Sequence, residues 1–264
     1  MQRLKFLLSK RWALFLVAVV LLTWLAVWLG QWQFGRLEDR KERNASVLRN
    51  EALAADPVED VLSVEHPVAE DTEWRHVTAT GTYLPEETVH VRYRTGAQGA
   101  PGVEVLVPMD LGDGTAVIVD RGWWGTANRG AVPDDVPAPP SGEVTVDGWV
   151  RVDAEGDSTA VKDHSTRAVN SVEIAKSLDL DGMEFLQGFV QVETETPAPA
   201  ESLTLPSKPE LNEGPHFFYG IQWWFFGFLA VAGFGYLLWD EWRDQQDEST
   251  GDDVAGGSPD PEDA

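Results

Sequence analysis

Two unbroken apolar runs bracket a long stretch in which apolar and polar residues alternate. Trp12 to Gly30 is 19 residues without a charge and Phe217 to Trp239 is 23. At about 1.5 Å of rise per residue, runs of this length match a hydrocarbon core of about 30 Å and predict transmembrane helices over 12–30 and 217–239. Pro215 suits the first turn of the second helix, where a missing N–H costs nothing, and the acids from Asp240 onward mark its other end. The first run exceeds the apolar core of a signal peptide and no small-x-small site closes it, so it is expected to remain as an anchor.

Between the runs the pattern changes twice. Residues 31–56 are charged and predicted to prolong the first helix until Asp56-Pro57 stops it. From about residue 73 to 196, short alternating runs separated by Gly, Pro and Asp predict strands at 74–84, 87–95, 102–109, 115–122, 143–152 and 185–195. A short helix is expected at Ser171 to Leu178, with Asn170 or Ser171 as its N-cap. Val117, Ile118 and Val119 form a continuous apolar run, the mark of a strand buried on both faces, and Gly122 at its end suits a backbone angle or close approach that a Cβ would obstruct. In Val89 to Arg94 the period of two sends Val89, Val91 and Tyr93 to one face and His90, Arg92 and Arg94 to the other. That cationic stripe would either hold an anionic group or be a solvated face paired with acids. The Pro-rich segment 131–142 reads as a rigid connection without evident chemistry.

The expected fold class is a membrane protein with two transmembrane α-helices flanking a mainly-β extracytoplasmic domain, an antiparallel sheet or open barrel with a short helix. The domain is expected to span 57–205, with a linker over 206–216. Residues 1–11 would be a cytoplasmic N-terminus and 240–264 an acidic, disordered cytoplasmic tail. Arg3, Lys5, Lys10 and Arg11 stand unopposed by any acid, which argues for both termini inside a plasma membrane. The basic residues on the two sides otherwise balance, Arg243 joining the first group against Arg36, Arg40, Lys41, Arg43 and Lys208.

A net charge of −24 argues against nucleic acid as a partner and against a polybasic grip on anionic lipid. The absence of cysteine excludes disulfides, thiolate nucleophiles and cysteine-ligated metals. No nucleophile-elbow, zinc-protease, P-loop or dinucleotide motif is present, and histidines 66, 76, 90, 164 and 216 lack metal-ligand spacing. An enzyme is not indicated.

Candidate chemistry concentrates at the outer ends of the two spans. His216 begins the second, followed at helical spacing by Gly220, Trp223 and Gly227, so that a flat ligand or a second helix could approach closely. At the end of the first, Trp24, Trp28, Gln31, Trp32 and Gly35 share a helical face. An interfacial aromatic belt explains Trp28 and Trp32, and equally a histidine beside Trp and Tyr, but not the glutamines.

Four landmarks give these pieces an order: Gly30-x-Trp32-Gln33-x-x-Arg36; Trp74-Arg75-x-Val77 with Gly81-x-Tyr83; Val119-Asp120-Arg121-Gly122-Trp123; and Gly214-Pro215-His216-x-x-Tyr219-Gly220-x-Gln222-Trp223. In that order and placement, from about residue 12 to 240, the chain resembles the Surfeit locus protein 1 (Shy-type) family of cytochrome c oxidase biogenesis factors, in its actinobacterial form. Gly220 departs from the family's usual Ala, and Trp124 stands where a small or aliphatic residue is common. The resemblance implies a non-enzymatic factor that binds haem a or hands it to the largest subunit of the oxidase, with haem a synthase as a further partner; the alternative is a haem-free membrane scaffold for oxidase subunits. It implies His216 as a ligand of the haem iron. An imidazole can ligate haem iron axially, Trp28, Trp32, Tyr219 and Trp223 would line the ring, the Gly220 and Gly227 face would let the macrocycle lie flat, and Arg36 or Arg121 would meet its propionates. Arg121 is equally explained as a structural ion pair.

Overall fold

The computed structural model describes residues 9–255, with side chains as far as residue 244. Most of the N-terminal segment 1–11 and the end of the tail lie outside these residues. In chain order the elements are α1 (Lys10–Glu51), β1 (Asp56–Pro57), α2 (Val58–Val61), β2 (His76–Tyr83), β3 (Val89–Thr95), β4 (Pro101–Gly112), β5 (Thr115–Gly125), β6 (Glu143–Arg151), β7 (Ser165–Thr166), α3 (Ser171–Leu178), β8 (Glu184–Thr196) and α4 (His216–Ala255). They form a helical unit, Met1–Glu42 with Asn212–Ala264, and a β-rich unit, Arg43–Leu211.

The helical unit contains two helices long and apolar enough to cross a membrane. Their outward side chains are apolar, with Leu14 71%, Trp24 64%, Phe218 73% and Phe228 64% exposed, a surface that only lipid or another apolar partner covers favourably. The chain is therefore membrane-associated, with two such helices flanking a mainly-β domain. α1 ends at Glu51, short of the expected 56, because Pro57 disfavours helical geometry at Asp56 and both residues pair instead in parallel with Val77 and Thr78. α4 runs to Ala255, so the expected disordered tail begins as helix. Extending a formed helix needs no new nucleus, and the Glu, Gln and Arg that follow Trp239 are compatible with it.

All six expected strands are present. β2, β6, β8, β5 and β4 are neighbours in that order, and a short β2–β4 pairing (Thr82 with Asp110, Tyr83 with Met109) closes the sheet into a small barrel. The pairings are antiparallel except for β5–β8, β1–β2 and β3–β7, which are parallel, so the sheet is mixed and not wholly antiparallel. Val77, Ala79, Val105, Val107, Val119, Val146 and Val190 fill the interior. A second cluster on the outer face packs Val89, Val91, Leu106, Ile118 and Phe189 against Ile174 of α3. β5 thus buries Val117 and Val119 inward and Ile118 outward, which is why its sequence is a continuous apolar run. α3 has the expected bounds, and Asn170 caps it by accepting a bond from the Glu173 amide at 2.9 Å.

The alternation in β3 fails at Tyr93. A register shift between Val91 and Arg94 and a φ of 65° at Tyr93 turn its ring out, 51% exposed, where a strict period of two would bury it. The accompanying stripe is less cationic than its sequence: burial lowers the pKa of His90, and Arg94 pairs with Glu104 at 2.8 Å.

Candidate functional site

Within the helical unit, α1 meets α4 along a seam with a seven-residue repeat. Trp12, Val19 and Ala26 are buried on it, and Gln33 is the next position of the same series. Small residues let the helices approach closely. A Cβ at Gly30 would lie 2.3 Å from the Trp224 ring, one at Gly220 would lie 2.7 Å from Phe34, and one at Gly227 would lie 3.3 Å from the Ala26 methyl. Aromatic contacts continue the seam at both ends, Phe34 with Trp224 at 5.0 Å between centroids and Phe15 with Phe234 at 5.3 Å. The glycine face of α4 is therefore filled by α1: the second-helix alternative is the one realised, and no macrocycle lies flat on Gly220 and Gly227.

His216 begins α4 on one flank of this seam. Its Nδ1 lies 2.9 Å from Oε1 of Gln33, and both side chains are half-buried. The opposite edge of the ring faces Gly214, whose φ is +67°; a Cβ there would lie 3.2 Å from His216 Cδ2, 3.5 Å from His216 Nε2 and 3.0 Å from Nη1 of Arg40. Glycine is thus required twice, once for the left-handed backbone and once to leave room where the imidazole and the guanidinium converge.

The two helices carry the same spacing from this contact. Arg36 and Arg40 follow Gln33 at i+3 and i+7, and Tyr219 and Trp223 follow His216 at i+3 and i+7, so each trio occupies one flank of its helix. Because α1 and α4 meet antiparallel, the arginines run from His216 toward the charged end of α1, and the aromatics run from it into the apolar span. Tyr219 is 48% exposed on this flank, and the Trp223 ring packs edge-on against Phe226 at 5.9 Å. The strip reads cation, imidazole, aromatic. The sequence reading gave neither Gln33 nor Arg40 a place in the site: Gln33 stood in the first landmark without a role, and Arg40 is one of several basic residues whose distinction is its place against Gly214.

The other expected residues lie elsewhere. Trp28 and Trp32 are 53% and 49% exposed, half a turn from the seam positions Ala26, Gly30 and Leu37, and so face away from α4. They cannot wall a slot that contains His216. Trp32 instead lies under the Arg36 guanidinium, 5.8 Å from its ring centroid.

Arg121 is spent inside the barrel. Its side chain is 1% exposed and that of Glu195 6%, with Nε donating to Glu195 Oε1 at 2.9 Å and Nη2 to Oε2 at 3.2 Å. The Tyr83 hydroxyl donates to the same carboxylate at 2.6 Å, and burial first, then the Glu195 charge, raises the Tyr83 pKa. Arg121 Nη1 also donates to Pro137 O at 3.1 Å, so the Pro-rich segment closes this end of the core and is more than a connection. The structural ion pair accounts for Arg121, and no guanidinium is left to meet a propionate.

Comparison with known proteins gives a family. Residues 20–228 match the SURF1 family. SURF1-like proteins of Mycobacterium bovis and Mycobacterium tuberculosis, themselves uncharacterised, are 33% identical over 256 residues, covering 95% of this chain and 92% of theirs.

Proposed function

Since the chain belongs to the SURF1 family, we propose that it is a biogenesis factor of cytochrome c oxidase that holds haem a beside His216 and passes it to the largest oxidase subunit. The observation that carries this reading is the ordered strip at the outer helix ends. Haem supplies an iron that accepts an axial nitrogen, an apolar ring and two carboxylates. In this chain His216 would offer the nitrogen, Tyr219 and Trp223 an apolar surface on the membrane side, and Arg40, with Arg36, the cations on the water side. The space beside Gly214 that a Cβ would fill lies at the edge of the imidazole bearing Nε2, which supports access to that nitrogen. One histidine on an open flank suits a donor, because a ligand held from one side can be released to a site with more bonds to offer.

The same reading places both termini in the cytoplasm and the β domain outside, and makes the enzyme that completes haem a the natural upstream partner. Full-length protein purified from cells that make haem a should carry a Soret band. His216→Ala should lose it while remaining in the membrane at the normal level, because an interfacial histidine contributes little to insertion. An unchanged spectrum in His216→Ala, with continued co-purification of the oxidase subunit, would leave the haem-free scaffold as the function.

A further inference from the structure

The contact between Gln33 and His216 does more than join two helices. Oε1 of Gln33 faces Nδ1 at 2.9 Å, and an amide oxygen can only accept a hydrogen bond. With that oxygen as acceptor, the neutral ring would carry its hydrogen on Nδ1 and its lone pair on Nε2, at the edge that faces Gly214 and Arg40. A histidine free in water favours the other tautomer, with its hydrogen on Nε2 and no lone pair there. His216 is also the first residue of α4, where few neighbours restrict a side chain, whereas Gln33 stands in the middle of α1 on the seven-residue seam.

We infer that Gln33 is the positioning residue for His216, fixing both the direction of the ring and the tautomer that presents Nε2 as a base. This deepens the proposed function by naming what makes the imidazole ready to ligate, but the tautomer is a property of the ligand-free chain and is tested without haem. It also accounts for a polar side chain at a seam position whose equivalents, Trp12, Val19 and Ala26, are apolar. Histidines that bind metals commonly donate their second ring N–H to an oxygen, and loss of that oxygen costs about 10- to 100-fold in metal affinity.

The test uses full-length protein in detergent with 15N-labelled histidine, at mildly alkaline pH, above the ordinary histidine range. The His216 signals are identified by their absence in His216→Ala. In the wild type the hydrogen should be on Nδ1. In Gln33→Leu it should move largely to Nε2, and Gln33→Glu, which keeps an acceptor oxygen, should hold it on Nδ1. Haem a affinity should fall about 10- to 100-fold in Gln33→Leu and return in Gln33→Glu. Hydrogen on Nε2 in the wild type, or a tautomer unmoved by Gln33→Leu, would overturn the inference. A tautomer that responds as described in a wild-type protein that binds no haem would uphold the role of Gln33 and remove the haem reading alone.

Discussion

The β domain and the helix pair differ in where their polar chemistry lies. In the domain Arg75 pairs with Asp56, Arg94 with Glu104, Arg121 with Glu195 and Arg151 with Glu73, and Lys208 sits 4.1 Å from the Trp149 ring centroid while bridging Glu51 and Glu193. At the end of the helix pair that bears His216, Arg36 rests on Trp32 and Arg40 converges with His216 on Gly214. Among the described residues neither arginine has a carboxylate at bridging distance. Arg92 and Arg167 of the domain also lack a carboxylate and lie near the Tyr93 ring, so the difference rests on the buried Arg121–Glu195 pair, 1% and 6% exposed, which has no counterpart among the described residues of the helix ends. The domain thus carries an ion pair inside its core, whereas the helix ends leave a half-buried imidazole with two arginines beside it.

This contrast predicts that domain variants act on folding and helix variants on ligand. The largest effect should come from Arg121→Met, which leaves the Glu195 carboxylate buried without its partner and should destabilise the domain by about 3–5 kcal/mol. Thermal unfolding and protease resistance of the full chain would show it, and Glu195→Gln in the same chain should restore much of the loss. Normal folding with loss of haem in Arg121→Met would break the contrast.

Gly122→Ala should cost less, about 1–3 kcal/mol, because φ is +124° and the new Cβ would lie 2.7 Å from Thr204 O. Wild-type melting in that variant would deny the tight junction.

Asp120 adds a pH dependence of known sign. Burial first, and then the Glu104 charge, push its carboxyl up to about 7. The folded chain therefore keeps a proton that the unfolded chain has released, and this site's contribution to stability falls as pH rises from the ordinary carboxylate range toward neutrality. Asp120→Asn, which keeps an oxygen for the Gly122 amide now bonded at 3.0 Å, should flatten the decline of melting temperature with pH. An unchanged slope would mean that Asp120 is ionised throughout. The smallest effect should come from Trp32→Ala, which removes only a support for Arg36 and should weaken haem a binding less than tenfold. A loss as large as that from His216→Ala would bring Trp32 into the site.

What the sequence made legible follows from which forces leave a periodic trace. Burial on one face writes an alternation, so β2, β4 and β6 were readable, and burial on both faces writes the continuous run Val117-Ile118-Val119. Asn170 announces α3 because a cap is a local hydrogen bond. The bulge at Tyr93 leaves no such trace, since one inserted residue changes the phase and not the composition. Nor does the parallel pairing of β5 with β8, which depends on partners distant in sequence. The Trp24, Trp28, Trp32 series follows the helix at intervals of four and draws attention to the lipid face, while the actual seam runs at intervals of seven through Trp12, Val19, Ala26 and Gln33. That repeat was present to be read, with a glutamine at the place where the apolar series breaks. Arg121 stood beside Gly122 in one of the four landmarks, but only the fold shows that Glu195, 74 positions away, completes it.

The most direct test of the central claim is a titration of haem a into purified full-length protein, wild type beside His216→Ala, followed by the Soret spectrum. A site built at the helix ends predicts a saturable spectral change in the wild type that His216→Ala loses and Arg121→Met, where folded, keeps. Equal binding with equal spectra in wild type and His216→Ala would contradict it.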